Sequence, residues 1–419
     1  MQKMYLCIDL KSFYASVECV ERGLDPMTEN LVVADPERSD KTICLAISPA
    51  MKKLGVKNRC RVFEIPKNIK YVMAVPRMQL YIDYAAEIYG IYLDYVSKDD
   101  IYVYSIDEVF IDITNYIRFY KKTEKEIAKM LMQAVFDKTG VRAACGIGTN
   151  MYLCKIALDI TAKHSDDFIG YLDEELYRKT LWDYTPITDF WRIGAGTANR
   201  LKRYGINTMG EIAKADEDLL YRIFGIDAEL LIDHAWGREP VGISEIKKYK
   251  PKTNSLTSGQ VLMHDYTFSG GELIVREMTE LLCLDMTKKN LVTKSVSLRV
   301  GYSNRENAPA AYGSFSLETE TNLDKILIPA VSSLYKKIVN PDLLVRRVNI
   351  SFNNIKEEKC VQIGLFDNTK EREKNKKIQT TMLKIKERFG KNAVIKGMNL
   401  EEGATTIERN RQIGGHKSG

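Results

Sequence analysis

The 419 residues, 45% hydrophobic and 28% charged, exclude a chain disordered throughout and, at roughly 100–200 residues per domain, imply about two to four domains. A net charge of +6 is too mild to name a polyanionic partner, but it is unevenly spread: residues 246–419 hold 30 Lys/Arg and 19 Asp/Glu, residues 1–245 hold 32 and 37. An acidic front half joined to a basic back half points to chemistry in the first and polyanion binding in the second.

Tyr5–Leu10 is a short apolar run that reads as a buried strand bearing one carboxylate, Asp9, and Phe13–Glu18 continues as a helix. Residues 23–71 are broken by Pro26, Pro36, Pro49 and Pro66 and read as an inserted subdomain. Its centre, Lys52–Arg61, carries five basic residues and no acid. Pro76–Val96 reads helical; Ile101–Ser105 and Val109–Ile113 then flank a polar break, Ile106-Asp107-Glu108, as a hairpin. Glu124–Lys138 is a helix and Val141–Ile147 a strand, followed by a helix capped by Thr149 or Asn150 that runs to Lys163. This interleaving predicts an α/β (α+β) core. Residues 166–236 read as short helices joined by Gly turns, and 237–253, basic and punctuated by proline, as a linker. Strands at Val296–Tyr302, Tyr312–Leu317 and Val345–Phe352, with helices at Gly271–Lys289 and Leu323–Val339, form a second α/β unit, and a charged tail follows Asn353.

The eight cysteines form no CxxC pair and sit mostly in apolar runs, so buried free thiols are expected rather than a zinc site or disulfides. No apolar run approaches the ~20 residues of a membrane span. Met1–Tyr5 leads straight into a strand without a signal-peptide core, so a cytosolic protein without membrane contact is expected.

Four motifs carry chemistry. Asp9 closes a strand and Asp107-Glu108 occupy a hairpin break; three such acids at neighbouring strand ends suit two divalent metals, although a strand ending in Asp and a turn holding Asp-Glu are each commonplace. Lys155, Asp159 and Lys163 share a helix face, either as a solvated salt-bridge ladder or with one lysine on a triphosphate. Ile193-Gly194-Ala195-Gly196 reads as a helix-hairpin-helix whose free N–H groups at Gly194 and Gly196 grip a DNA phosphate, or as a helix cap and turn. In the tail, Gln362-Ile363-Gly364-Leu365-Phe366 is either a partner-docking peptide or a last strand. Ile378, Met382, Ile385 and Phe389 then mark an apolar stripe on a basic helix that docks on its own protein, on a partner or on DNA.

Together, Ile8–Glu18, Tyr104–Glu108, Gly146–Lys163 and the Gly194-Ala195-Gly196 hairpin resemble the Y-family (translesion) DNA polymerases, most of all the bacterial UmuC-type branch, over Tyr5 to about Phe366. The resemblance implies a right-hand polymerase. Residues 1–20 and 72–165 would be a ferredoxin-like palm, 21–71 small fingers, 166–237 a helical thumb with a helix-hairpin-helix, 238–252 a linker and 253–354 a DNA-gripping little finger; 355–419 would be a tail with a clamp-type peptide at 362–366. It further implies that Asp9, Asp107, Glu108 and the Leu10 carbonyl hold two Mg²⁺, with Mn²⁺ as an alternative. Tyr14 becomes a steric gate against ribonucleotides, and Phe13 and Lys163 lie with it at the incoming dNTP.

The resemblance implies low-fidelity translesion synthesis in SOS-type damage tolerance, in the cytoplasm at the nucleoid. The partners are primer–template DNA and dNTP, a bacterial sliding clamp through Gln362, Leu365 and Phe366, and a UmuD-like subunit or recombinase filament. One departure stands out: where the family often has Tyr-x-x-Arg in the fingers, this chain has Pro49 and Lys52, which leaves an ammonium for the triphosphate. A catalytically weak DNA scaffold and a palm-type nucleotide cyclase are the competing readings. The polymerase reading requires Asp9 to meet Asp107 and Glu108 without a Lys or Arg lodged among them.

Overall fold

The computed structural model describes residues 2–162, 165–251, 254–358 and 369–419, and the chain divides into two compact units, Met1–Tyr249 and Lys250–Ser418. The first begins with β1 (Tyr5–Leu10), α1 (Phe13–Val20), β2 (Leu31–Val33), β3 (Ala46–Ile47), α2 (Pro49–Lys53), β4 (Val72–Ala74) and α3 (Met78–Leu93). It continues with β5 (Ile101–Val103), β6 (Glu108–Asp112), α4 (Thr114–Tyr120), α5 (Glu124–Thr139), β7 (Ala143–Gly148), α6 (Met151–Ile156) and β8 (Ile169–Leu172). The main sheet has the order β5-β6-β1-β7-β8. Its central strand, β1, is buried on both faces, which is why Leu6, Cys7 and Ile8 read as an unbroken apolar run rather than an alternating one.

Helix α6 starts at Asn150, whose side chain accepts the Leu153 N–H at 2.8 Å. It then lies almost on the backbone of the sheet. A Cβ at Gly146 would stand 1.9 Å from the Cys154 carbonyl oxygen, and one at Gly148 would stand 2.2 Å from the Cys154 nitrogen. Over Ala157–Thr161 the helix widens into a π turn, the kind of local bulge often found beside functional residues. The sheet also gains β8, which pairs parallel to β7 and lies past residue 165. A second, three-stranded sheet, β3-β2-β4, sits over its own small core of Val32, Ile47, Met51, Val56 and Ile65. It recruits Val72–Ala74, three residues past the expected edge of the insertion.

Five short helices follow: α7 (Glu174–Leu181), α8 (Ala195–Lys202), α9 (Met209–Lys214), α10 (Glu217–Phe224) and α11 (Asp227–Ala235). Side-chain caps from Asp173, Thr208 and Asp216 start three of them. The stretch expected to be a linker is not loose throughout. It contains α12 (Ile243–Lys248), whose Ile243 packs with Tyr5, Cys7 and Phe110 and whose Lys247 donates to the Lys98 carbonyl. Its basic, proline-bearing sequence hid two apolar anchors, Ile243 and the partly buried Ile246.

The second unit comprises β9 (Ser255–Tyr266), α13 (Phe268–Lys288), β10 (Leu291–Tyr302), β11 (Ala311–Thr321), α14 (Asp324–Ile338), β12 (Val345–Asn353), β13 (Lys356–Glu357) and α15 (Thr369–Phe389). Its antiparallel sheet, ordered β11-β10-β12-β9, packs one face on α13 and α14 through Val296, Leu298, Ile350 and Phe352. The tail folds onto this unit. Gln379 of α15, 3% exposed, donates to the Cys283 and Asn322 carbonyls and accepts the Asp324 N–H. The predicted apolar stripe contributes only in part: Met382 and Ile385 are half-buried, whereas Ile378 is 47% and Phe389 66% exposed. A polar residue that satisfies three buried backbone groups outweighs two marginal apolar ones. Seven described cysteines are buried and free, and Cys360 lies outside the described residues. Among the described residues no helix is long and apolar enough to cross a membrane.

Candidate active site

The corner of the main sheet where β1 ends brings the sequence-predicted acids together. In the β1–β6 register Asp9 faces Glu108, and the Leu10 N–H donates to the Asp107 carbonyl at 2.9 Å. The hairpin tip is shaped locally: Tyr104 and Ser105 N–H groups close on the Glu108 carbonyl, and Ser105 Oγ donates to Asp107 Oδ1 at 2.7 Å. At the other end of the corner Ser12 takes a left-handed conformation, φ 50°, which turns the chain sharply from β1 into α1. Asp9 and Tyr14 therefore flank one turn.

The electrostatics of this corner are unbalanced. Burial, then the charges of Asp107 and Glu108, push the Asp9 carboxyl up to about 7. Glu108 leans back along the sheet, where it accepts from Cys7 Sγ at 3.1 Å and from Lys155 Nζ at 3.0 Å. Lys155 is 8% exposed and also reaches Asp159, so the solvated-ladder reading of this helix face is corrected: burial of α6 against the sheet turns Lys155 inward. Its ammonium engages Glu108 and Asp159, so the expectation that no lysine reaches the three acids fails for Glu108; among the described residues Asp9 and Asp107 form no ion pair. Among the same residues, no group of three His, Cys, Asp or Glu side chains is already gathered as a metal cage. The donor set nevertheless fits divalent cations. Three hard carboxylate oxygen donors and a strand-end carbonyl meet at one corner, and the Asp9 carboxyl is raised first by burial and then by its acidic neighbours, a penalty that a cation would relieve.

Tyr14 is half-buried and stacks on Tyr81, 4.4 Å between ring centres at 16°. The Tyr81 hydroxyl donates to Glu18 at 2.8 Å. Glu18 is fully buried and held by Arg77 Nε at 3.0 Å, Arg77 Nη2 at 2.9 Å, and Arg22. These hydrogen bonds hold the Glu18 carboxyl below its usual range despite its burial. Sequence reading missed this support; the i, i+4, i+8 spacing of Tyr14, Glu18 and Arg22 on one helix face was its available signal. The Phe13 ring, 2% exposed, belongs to the core. Lys52 is exposed at the end of α2, whose N-cap is Ser48. Gly194 and Gly196 open α8, and both have clear space around them. Lys163, Gln362, Leu365 and Phe366 lie outside the described residues.

Comparison with known proteins fixes the family. Residues 8–159 match the impB/mucB/samB family, and residues 254–365 its C-terminal domain. The putative UV-damage repair protein UvrX of Bacillus subtilis strain 168 is 32% identical over 100% of this chain and 98% of its own length. DNA polymerase IV 2 of the same organism is 30% identical over 99% of each. Among solved structures, a Y-family DNA polymerase chimera of Dbh and Dpo4 shares the fold, with a TM-score of 0.65 at 20% identity over 84% of this chain and 99% of its own. The chain belongs to the Y-family of DNA polymerases. As a Y-family polymerase it is a DNA-directed DNA polymerase of damage tolerance, dependent on divalent metal and acting on primer–template DNA and dNTP. The mixed α/β architecture of both units is that of the family, and the nucleotide-cyclase reading falls away.

Proposed function

We propose that this polymerase extends a primer across damaged template bases from the corner formed by Asp9, Leu10, Asp107 and Glu108. In this reading residues 1–20 and 72–165 act as palm, 21–71 as fingers, 166–237 as thumb and 253–354 as little finger, with 238–252 joining them and 355–419 as the tail. The observation that carries the reading is the cross-strand meeting of Asp9 with the Asp107–Glu108 turn. Asp9, Asp107, Glu108 and the Leu10 carbonyl would hold two Mg²⁺, or Mn²⁺ in its place. When bound, such a pair lowers the pKa of the primer 3′-hydroxyl and neutralises charge on the triphosphate.

The chain's own groups do the rest. Tyr14 closes the space under the sugar, so a 2′-hydroxyl collides with its ring. Lys52 and Lys163 supply positive charge to the triphosphate as point charges rather than as the bidentate fork an arginine would offer. N–H groups at Gly194 and Gly196 bind a DNA phosphate without reading its base. The open face of the second sheet presents Thr257, Ser297, Arg299, Arg347, Asn349 and Ser351, hydroxyls, an amide and two guanidiniums suited to a DNA backbone.

A one-nucleotide primer-extension assay with Mg²⁺ tests the site. Asp107→Ala should abolish extension while primer–template binding stays measurable; near-normal extension by that variant would defeat the assignment. Tight DNA binding by the wild type with negligible incorporation would favour the scaffold reading instead. The Gln362, Leu365 and Phe366 peptide is proposed to dock on a sliding clamp. Alanine at all three should remove stimulation by the clamp and nothing else, and unaltered processivity with clamp would rule the peptide out. Adding a UmuD-like subunit or a recombinase filament to the same assay tests those partners.

A further inference from the structure

Helix α15 docks by one side and leaves a charged side outward. Lys370, Lys374, Lys377, Thr381, Lys384 and Arg388 follow one another at intervals of four, three, four, three and four residues, all exposed. That spacing is one helical face. It lies opposite the side that carries buried Gln379. Five of its six positions are cationic, spread over about 27 Å at 1.5 Å per residue. The neighbouring cations are used differently: Lys376 pairs with Glu358 and Lys386 donates to the Lys391 carbonyl. Among the described residues none of the four lysines of the stripe forms an ion pair.

A face that is only solvated normally mixes its signs. Here Lys370/Lys374, Lys374/Lys377 and Lys384/Arg388 are like-charged pairs at helical spacing, each costing roughly 0.2–0.5 kcal/mol in the absence of a partner. Glu373 is the acid that borders the stripe; Glu371 and Glu387 fall to either side. An in-plane membrane helix would need a broad apolar face opposite its charges, and here that side is covered by the chain's own second unit.

We propose that this stripe is a second DNA-backbone contact, separate from the open face of the sheet, and that it holds phosphates of duplex DNA beyond the stretch the sheet engages. The sheet buries one face on α13 and α14, and α15 packs on α13 and reaches the edge strand β11 through Arg372, so the stripe is not part of the open face. The proposal rests on the chain binding DNA as a polymerase. It adds a surface in the tail, beyond residues 254–365 that match the family's C-terminal domain. A row of lysines neutralises phosphates without base contacts, so the contact is independent of sequence and strongly dependent on salt.

The test is anisotropy titration of the full chain with a labelled primer–template carrying a long duplex arm, across a range of salt concentrations. The triple variant Lys374→Ala, Lys377→Ala, Lys384→Ala should bind about tenfold more weakly near 0.1 M salt. Its slope of log affinity against log salt should be shallower by about 2–3, at roughly 0.9 per lost phosphate contact. Incorporation at saturating DNA, and the thermal melt, should be unchanged. The matching Lys→Arg triple should keep wild-type affinity and slope. An alanine triple with wild-type affinity and slope overturns the proposal, and so does loss of binding to polyglutamate alone, which would assign the stripe to an acidic protein. A wild-type chain that neither binds nor extends DNA would instead refute the polymerase reading, a result distinct from both.

Discussion

Tyr14 owes its position to residues that need not touch a nucleotide. Its ring rests on Tyr81, and Tyr81 is fixed by Glu18 between two arginines. A buried carboxylate left without partners costs about 3–5 kcal/mol, so the cluster is a stiff support for the Tyr14 ring proposed as the gate. Three substitutions separate the ring from its support. Tyr14→Ala should admit ribonucleotides outright, and an unchanged ribo/deoxy ratio of kcat/KM would contradict the gate. Tyr81→Leu should keep the gate ring but loosen its seat, lowering discrimination by roughly tenfold, equivalent to about 1.4 kcal/mol. Tyr81→Phe, which keeps the stack and loses only the hydrogen bond, should fall between. Equal discrimination in all three Tyr81 proteins would show that Tyr14 stands by itself. At this scale the acids were legible because a lone carboxylate in an apolar strand is conspicuous. Lys155 and Glu18 were not, because their burial depends on what packs over them.

Elements show the same division. Strands and helices came through wherever local signal was strong, as in the apolar run of β1, in α3, in the β5–β6 hairpin and in α13. Where a short element needs a distant neighbour, local signal failed: β4 exists because β2 lies beside it, and β8 because β7 does. Helix α13 carries the clearest element-scale consequence. Its Glu277 is buried and accepts from Asn399, Thr405 and Thr406 of the tail. One turn on, Glu280 is 2% exposed and its Oε2 has no hydrogen-bond partner. Burial raises the Glu280 carboxyl above its ordinary value, with Lys396 and Lys386 opposing and Asp324 adding to the rise. A carboxyl that is harder to ionise when folded favours the folded state at low pH. That advantage is lost as pH climbs from the ordinary carboxylate range through the raised value. Glu280→Gln should therefore stabilise the protein near pH 7 by about 1 kcal/mol and have little effect near pH 4. Calorimetry at the two pH values checks this, and equal shifts at both would remove the ionisation argument.

The molecule as a whole is two units with opposite charge, and the tail is part of the second. Residues 370–418 supply Gln379 to a buried niche, donors to Glu277, and Lys396 to Asp324. Truncation after Glu358 should lower the unfolding transition of the second unit while leaving that of the first in place. For a unit of this size each lost kcal/mol is worth about 2–4 °C. Two-transition calorimetry of the full and shortened chains measures it, and an unmoved second transition would mean that the tail only decorates the unit.

The sequence by itself determined the family, the elements with strong local signal, the acids that meet where β1 ends and the charge split. All of these are carried by residue type at short spacing, and the chemistry of metal and phosphate tolerates few alternatives. Tertiary structure alone decided that Lys155 turns inward to Glu108, that Tyr81 and Glu18 brace Tyr14, that α12 anchors the supposed linker, and that a glutamine seats the tail helix. Each depends on which groups lose water when distant segments meet, and desolvation is a property of the assembled surface rather than of any local stretch of chain.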